Sequence, residues 1–409
     1  MQSLLILGRQ PELGLAELES LYGYDKVNKV SDNVAIVDID PCLLTFQRLG
    51  GSQKFAKLLT EINTINWSDI ENFLIKTSPK HSEKIPPGKM TLGLSLYGFD
   101  IKPNQIYRSA LSIKRAIVKT GRSVRLVPNK SADLNTAQVI YNKLTSNRSW
   151  EILIIKSDKK TYIAQTIMVQ DIKGYSERDQ ARPYRDPKVG MLPPKLAQIM
   201  INLSVGKLDQ TKLQSICQNE DTKLIPNFNQ TILDPFCGTG VILQEASLMG
   251  YKFIGSDLNP KMVDYSRKNL EWLTRKNDLN IKIDKISVAD ATNNHWPRFD
   301  FIASETNLGK PLSSLPPKDI LETMIQDLNQ LINGFLINIA KQSSTNLRLC
   351  IGIPAWQINK NDFRCLPIID HLENIGYNLI DFKHINNKQL IYYRPNQTVA
   401  RQLIVIKRK

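Results

Sequence analysis

The sequence has no apolar stretch long enough to span a bilayer, and it lacks the patterns of a secreted or metal-binding protein. Its five cysteines include no Cys-x-x-Cys pair, and no His/Cys cluster has the spacing of a zinc site. An odd cysteine count without paired spacing indicates a reducing compartment rather than a disulfide framework. The first residues form a strand-like run followed by Gly8 and Arg9, not a secretory signal. We therefore expect a cytoplasmic protein without a metal or a membrane partner.

Acidic residues are also scarce. The chain of 409 residues has 54 Lys and Arg against 39 Asp and Glu, a formal net charge of +15, which indicates a polyanionic partner. The stretch 101–150 contains ten basic residues and one acid, Asp133. Several of its bases fall near one face of a helix that we predict over about 104–120. Such a face is often merely solvated, but the missing acids favour contact with RNA phosphates. The predicted RNA-binding side chains here are Arg108, Arg115, Lys119, Arg122, Arg125 and Lys130.

One motif is more specific than this composition. Residues 234–240 read Asp-Pro-Phe-Cys-Gly-Thr-Gly, between an apolar run at 231–233 and a helical pattern at 241–246. This order predicts a strand, a tight glycine turn and a helix, and such a turn lets the backbone approach a ligand. No Gly-Lys-Ser/Thr follows, so a Walker site is excluded, and the third glycine of the dinucleotide pattern is missing.

Carboxylates follow two further predicted strands. Asp257 ends the run 253–256 and is placed to accept ribose hydroxyls, while Asp290 follows the next strand and could accept an adenine amino group. Asp234 would lie near a cationic sulfonium. Together the three strand ends predict an S-adenosylmethionine (SAM) pocket, although a Rossmann-type domain can use the same turn for packing alone. The predicted cofactor-binding residues are Asp234, Phe236, Cys237, Gly238, Thr239, Gly240, Asp257, Leu258, Asp290 and Ala291.

The motif at 234–240 resembles the SAM loop of the THUMP-domain RNA methyltransferases, in particular the tRNA guanine-N2 methyltransferases that act on guanosine 10. Residues 5–18, 178–183, 191–204 and 392–401 resemble other segments of that family in the same order. The resemblance implies a tRNA substrate, whose acceptor end the THUMP module grips. It adds three expected RNA contacts, Arg178, Arg182 and Arg394.

The organisation that we predict has four parts. Residues 1–65 form a ferredoxin-like α+β domain, 66–170 a THUMP domain, and 171–205 a linker that contains a helix at 194–203. Residues 206–409 form an α/β, Rossmann-like class I methyltransferase domain with a seven-stranded mixed sheet, whose last strand is antiparallel. A polar, proline-containing stretch at 77–89 is predicted as a loop.

The fourth strand end departs from the pattern of N-methyltransferases, which usually carry Asp/Asn-Pro-Pro-Tyr there. Residues 305–308 read Glu-Thr-Asn-Leu, which keeps an acceptor for the amine in Glu305 but loses both prolines and the aromatic ring. Leu308 could pack against a base, and Trp356, Tyr392 or Tyr393 could supply stacking. The predicted catalytic residues are Glu305, Asn307 and Leu308. Cys237 is not expected to act as a nucleophile, because it lies inside the cofactor loop.

The sequence therefore predicts a SAM-dependent tRNA methyltransferase that forms N2-methylguanosine by direct transfer to a flipped base. Three alternatives stay open: transfer to another nucleobase or atom, a catalytically silent THUMP-type tRNA-binding protein, and a DNA amino-methyltransferase. We expect a monomer, and the sequence leaves open whether a small activating protein partner is required.

Overall fold

The computed structural model describes residues 2–186, 191–208, 228–279, 282–309, 311–359, 362–395 and 397–409. The chain divides into two compact units. The first unit consists of residues 1–11, 25–47 and 52–172. The second unit consists of residues 12–24, 48–51 and 173–409. Two short early segments, 12–24 and 48–51, thus belong to the second unit, and the chain stays in that unit from residue 173 onward.

The first unit is built on one sheet, which has eight strands in the described residues, in the order β2-β3-β1-β4-β8-β7-β5-β6. Strand β5 pairs in parallel with β6 and β7, and the other pairings are antiparallel. The strands are β1 Ser3–Leu7, β2 Val27–Ser31, β3 Val34–Val37, β4 Ser52–Ile62, β5 Met90–Tyr97, β6 Val124–Leu126, β7 Ser149–Lys156 and β8 Thr161–Val169. The first four helices of the chain are α1 Pro11–Tyr22, α2 Trp67–Ser82, α3 Pro103–Val118 and α4 Thr136–Tyr141.

Helix α3 shows why the basic segment folds as it does. Pro103 occupies its first turn, where the missing N–H is tolerated and the fixed φ favours the helix. Ile106, Ala110, Ile113 and Ile117 recur every three or four residues and are buried against the sheet. The prediction of a helix over about 104–120 is confirmed, and its basic residues are left on the outer face.

The first unit differs from the prediction at two places. The predicted loop 77–89 begins as helix, because α2 continues through Pro79 to Ser82 with a buried stripe that ends in Ser78 and Ser82. The predicted domain boundary at residue 65 falls within a continuous structure, since β4 pairs along its length with β8. The division into ferredoxin-like and THUMP domains stays a prediction.

The second unit contains a sheet that has nine strands in the described residues. Seven follow the order β11-β10-β9-β12-β13-β17-β15, while β14 pairs with β13 and β16 with β17. The strands are β9 Thr231–Asp234, β10 Lys252–Asp257, β11 Ile286–Val288, β12 Phe301–Glu305, β13 Arg348–Asn359, β14 Asp362–Arg364, β15 Tyr377–Leu379, β16 Ile391–Tyr392 and β17 Val399–Arg408. The further α-helices of the described residues are α5 Ile172–Ser176, α6 Pro194–Val205, α7 Val241–Leu248, α8 Pro260–Asn277 and α9 Lys318–Gln342.

The direction of these strands places the site. Strands β9 to β13 are parallel, so their carboxyl ends share one edge, and β17 runs antiparallel to β13. The predicted mixed α/β sheet with an antiparallel last strand is therefore confirmed. The strand at the sheet edge, β15, has three residues and ends at Leu379. The strand that precedes Asp290 is β11.

Two segments assigned elsewhere by the sequence belong to the second unit. Helix α1 is held there by Glu17, whose carboxylate accepts hydrogen bonds from Gly50 N, Gly51 N and Asn202 Nδ2. Helix α6, predicted as part of a linker, carries Asn202 and is almost completely buried. Its apolar residues exceed what a solvated connector would carry, which explains why it packs into the unit.

Candidate active site

A cleft of about 510 Å³ lies at the carboxyl ends of β9, β10, β11 and β12. This is the edge where parallel α/β sheets bind small molecules, and the volume suits a ligand of nucleoside size. All ten predicted cofactor residues except Gly240 line it, as do Glu305, Asn307 and Leu308. Further lining residues are Met191, Leu192, Pro235, Val241, Ile242, Asn259, Met262, Ala289, Thr306, Gly309 and Leu331.

The backbone of the glycine loop has the positive φ angles that its two glycines permit. Gly238 has a φ of 49° and Gly240 one of 80°, both in the left-handed region that favours glycine. A Cβ at residue 238 would meet no atom within 4 Å, so this backbone is open to a ligand. A Cβ at residue 240 would instead come within 2.8 Å of Ser266 Oγ and 3.2 Å of its Cα. Gly238 thus faces the cleft, while Gly240 permits close packing of α8.

Asp234 is a buried carboxyl at the centre of the site. Ser304 Oγ donates a hydrogen bond of 2.6 Å to its Oδ1, and Phe236 N lies 3.3 Å from the same oxygen. Burial raises the pKa of Asp234 to about 8, and the nearby carboxylates of Asp257 and Glu305 act in the same direction. A cationic ligand group beside Asp234 would therefore favour its ionised form.

The other two acids sit at the rim of the cleft. Asp257 accepts hydrogen bonds of 2.9 Å from Gly238 N and from Asn259 N, which fix its orientation, and burial raises its pKa. Asp290 Oδ1 accepts from Thr292 N and Oγ1, which lowers the pKa of Asp290. Oδ2 of Asp290 accepts no hydrogen bond from the described residues and remains free to accept one from a ligand.

The remaining predicted cofactor residues shape the walls. Phe236 packs edge-to-face on Phe335, while Thr239 and Ala291 are buried. Leu258 is 70% exposed directly after Asp257, which leaves an apolar surface for a flat ring. Burial raises the pKa of the Cys237 thiol, and this agrees with the view that Cys237 is not a nucleophile.

The altered strand end lies at the same edge. Arg401 Nε donates a charge-assisted hydrogen bond to Glu305 Oε1, and burial raises the pKa of Glu305 against the influence of that arginine. Thr306 is bound through both N and Oγ1 to Gly352 O, while Asn307 Oδ1 accepts from Gly309 N in a local turn. Glu305 is thus paired, and the Asn307 side chain is exposed with its oxygen already engaged.

The three aromatic residues considered for stacking on a substrate base differ in their burial and contacts. Trp356 is fully buried in the core beneath the sheet, so it is a packing residue and cannot stack on a substrate base. Tyr392 is half-buried, with the Arg401 guanidinium 6.0 Å from its ring centroid. Tyr393 packs on Phe363 at a centroid distance of 5.5 Å.

Sequence reasoning missed four contributors to the site. Ser304 and Arg401 bind the two carboxylates, and Met191 with its neighbour Leu192 lines the cleft from a segment predicted as linker. Residues 191–204 and 392–401 carried a signal, because both belong to the segments that resemble the methyltransferase family. Ser304 had none, since a serine at a strand end is common in any sheet.

The predicted RNA contacts of the first unit lie on its surface. Arg108, Arg115, Lys119, Arg125 and Lys130 are exposed. Arg122 is half-buried and donates to the carbonyl oxygens of Ile85 and Pro86, which ties down the segment after α2. Five of the six side chains are therefore accessible to a polyanion, whereas Arg122 stabilises the segment after α2.

The three predicted RNA contacts of the second unit differ from one another. Arg394 is exposed, and Arg178 donates to Glu245 Oε1 at 2.6 Å with only 16% of its side chain exposed. Arg182 is 2% exposed, and its guanidinium has no hydrogen-bond partner among the described residues. The positions of Arg178 and Arg182 correspond to internal packing rather than to a surface, because each side chain turns into the unit.

Two family models match the chain. One, described as a DNA methylase, matches residues 142–268, and the other, described as an RMKL-like methyltransferase domain, matches residues 226–357. The second match contains every predicted cofactor-binding and catalytic residue. In the described residues no group of His, Cys, Asp and Glu could hold a metal, and no helix is long and apolar enough to cross a membrane.

Curated relatives carry a common name, tRNA (guanine(10)-N2)-dimethyltransferase. The Methanothermobacter thermautotrophicus protein is 40% identical over 95 residues, which are 23% of this chain and 22% of that protein. The Pyrococcus abyssi protein is 29% identical over 234 residues, 56% of each chain. Over the matched residues the chain is similar to these methyltransferases. The matches span about half of the relatives' length or less, and they do not test the THUMP assignment.

A solved structure with a related fold is TrmN from Thermus thermophilus, which aligns with a TM-score of 0.51, 13% identity and full coverage of both chains. At this identity the likeness concerns the fold alone. The predicted class I SAM-dependent methyltransferase fold is confirmed, while the assignment of the cleft as a cofactor site stays a prediction.

Proposed function

We propose that this chain is a SAM-dependent tRNA methyltransferase that forms N2-methylguanosine, of the type named for guanosine 10. The observation that carries the proposal is the cleft itself, where the glycine loop, Asp257 and Asp290 meet Glu305 at one sheet edge. The name of the curated relatives supports tRNA and the guanine amino group. Because tRNA is the proposed substrate, we expect the protein in the cytoplasm.

The cofactor side of the cleft fits SAM, which when bound supplies a methyl group on a sulfonium cation. The open backbone at Gly238 leaves room for the ligand, and Asp257 retains acceptor capacity for the ribose hydroxyls. In this proposal Oδ2 of Asp290 accepts from the adenine amino group, and the exposed side chain of Leu258 packs against the ring. Asp234, buried beneath the loop, balances the positive charge.

The acceptor side is built around Glu305. A carboxylate at this strand end accepts a hydrogen bond from the exocyclic amine of a flipped base and aligns its nitrogen with the methyl group. Direct transfer would form a nitrogen–carbon bond in place of the sulfur–carbon bond of SAM, and the amine would release one proton for Glu305 to accept. Burial raises the pKa of Glu305, which suits this carboxylate to receive that proton.

The first unit supplies the phosphate contacts in this proposal. Arg108, Arg115 and Lys119 are exposed along α3, with few acids nearby in the sequence. Replacing these three by Ala is expected to weaken tRNA binding and to reduce the slope of log K against log salt by about 2 to 3. Filter binding across salt concentrations measures this, with a Lys282→Ala/Lys285→Ala variant as the matched control of exposed bases in the second unit. An equal loss in both variants would contradict a specific role of α3.

The direct test incubates the purified protein with labelled SAM and total tRNA and identifies the methylated nucleosides. N2-methylguanosine is expected, with SAM binding that Asp257→Ala weakens in calorimetry. No transfer despite tight tRNA binding would support a catalytically silent binding protein. A product methylated on another base would redirect the assignment to that base.

A second candidate is a DNA amino-methyltransferase, which the match of residues 142–268 to a DNA methylase model favours. The same assay distinguishes it, with double-stranded and single-stranded DNA of mixed sequence as competing substrates. Any polyanion would satisfy the charge of the exposed basic residues of α3. The choice of RNA over DNA therefore depends on the curated relatives, whose name specifies tRNA.

A further inference from the structure

The carboxylate of Glu305 is held by an arginine from the far end of the chain. Glu305 ends β12 and Arg401 lies in β17, with β13 between them and Gly352 opposite Glu305. Arg401 Nε donates to Glu305 Oε1, and the two side chains are only 7% and 12% exposed for Arg401 and Glu305 respectively. Glu305 Oε2 accepts no hydrogen bond from the part of the chain that the structure describes.

The arginine is itself fixed from two other directions. Its Nη2 lies 3.4 Å from Met191 O, and Met191 lines the cleft. Its guanidinium lies 6.0 Å from the ring centroid of Tyr392, the residue opposite it in β16. A guanidinium held in this way leaves the orientation of the Glu305 carboxylate little freedom.

The charge balance explains why such an arginine is needed. Burial raises the pKa of Glu305, and Arg401 is the group that opposes this rise. Four other titratable side chains line the cleft: Asp234 at the end of β9, Cys237 in the glycine loop, and Asp257 and Asp290 at the rim. None of these four is a base. Without Arg401, the Glu305 carboxyl would lie in a poorly solvated region beside other acids, and its pKa would rise further, which favours the protonated form.

The protonation state of Glu305 affects which nucleobase the site can bind. Guanine presents an N1–H donor beside its N2 amine, whereas adenine and cytosine present a ring-nitrogen acceptor beside theirs. An ionised carboxylate is an acceptor only, so it suits two adjacent donors and repels an acceptor. A protonated carboxyl or an amide offers one donor and one acceptor, which suits adenine or cytosine instead.

We propose that Arg401 is a positioning residue that keeps Glu305 ionised and oriented, so that the site selects the N1–H and N2–H edge of guanine. This inference rests on the proposed methyltransferase function and deepens it. It attributes the preference for guanine to the pair of Glu305, at the altered strand end, and Arg401 in β17, rather than to an aromatic residue that stacks on the base.

The test measures methyl transfer to total tRNA between pH 6 and pH 9 for the wild type, Arg401→Lys and Arg401→Met. Arg401→Met is expected to lose activity by about tenfold for each pH unit below the raised pKa of Glu305, and to recover as the pH increases. The loss falls on kcat while the Kd for SAM stays within about twofold. Arg401→Lys, which keeps the charge, restores the wild-type pH profile in part.

A double variant, Arg401→Met/Glu305→Gln, covers the case in which the single Met variant fails to fold, because it leaves no buried unpaired charge. It is expected to bind SAM, to show low activity without the acid limb, and to lose the preference for guanine among the methylated nucleosides. A wild-type pH profile in Arg401→Met, or guanine-only methylation by the double variant at wild-type rate, would overturn the inference. Absence of transfer by the wild type at every pH would instead refute the proposed function.

Discussion

Replacing Asp234 by Asn is expected to remove most of the pH dependence of SAM binding. Asp234 is buried below the glycine loop, and burial raises its pKa to about 8. At neutral pH the ligand-free protein therefore carries mostly the protonated acid. A sulfonium cation favours the ionised form, so binding releases a proton below pH 8 and becomes tighter as the pH rises through the pKa.

The size of the effect follows from the fraction of ionised Asp234. With a pKa of about 8, that fraction is about 0.01 at pH 6 and about 0.5 at pH 8. If only the ionised form binds, the apparent Kd for SAM falls by roughly 50-fold over this range, because the apparent Kd is inversely proportional to the competent fraction. Residual binding to the protonated form reduces the ratio, so 50-fold is the upper limit.

S-adenosylhomocysteine provides the control, since it shares the adenosine and amino-acid groups but lacks the positive charge. Calorimetry at pH 6, 7 and 8 in two buffers of different ionisation enthalpy measures Kd and proton release for both ligands. SAM and S-adenosylhomocysteine should differ in their pH dependence with the wild type and agree with Asp234→Asn. The reasoning is refuted if both ligands show the same pH dependence with the wild type.

Three further predictions concern residues near the site. Gly240→Ala is expected to lower the free energy of unfolding by about 1 to 2 kcal/mol from the left-handed φ alone, with more from the contact with Ser266, and thermal unfolding measures it. Trp356→Phe should leave tRNA affinity within about twofold in filter binding because the ring is buried; a tenfold loss would contradict its assignment to the core. Arg178→Met should lower the free energy of unfolding by about 3 to 5 kcal/mol in denaturant titrations, since the buried Glu245 loses its ion pair and keeps the hydrogen bond from Gln198 Nε2. Adding Glu245→Gln should recover part of that loss, and no recovery would mean that the pair does not account for it.

The cofactor side of the cleft was predictable because each part of it corresponds to a short motif within a few residues of a strand end. A glycine turn after an apolar run, followed by Asp257 and Asp290 after the next two runs, sets three strand ends at one edge. Parallel pairing then brings them together without further information. The mixed sheet and the antiparallel β17 followed from the same alternation of strands and helices.

The acceptor side was less predictable because its contacts join segments far apart in the chain. Nothing local to Glu305 indicates a partner 96 residues later in Arg401. Burial was also invisible for Trp356 and Arg182, which look like surface or rim residues in the sequence and lie inside the second unit. Composition fixed the basic character of the first unit, but its single continuous sheet depends on the pairing of β4 with β8.

The membership of α1 in the second unit has a consequence for how the chain is made. Ser20 and Glu19 of this helix contact partners that lie 182 to 365 residues later: Asn202, Arg348 and His384. At a synthesis rate of about 5 to 20 residues per second, roughly 20 to 70 s pass between the emergence of the helix and of its last partner. During that interval the native partners of α1 arrive in stages, from Gly50 and Gly51 through Asn202 to His384. Completion of the methyltransferase unit is thus a late event in biosynthesis, set by the arrival of the C-terminal segment rather than by the helix that starts it.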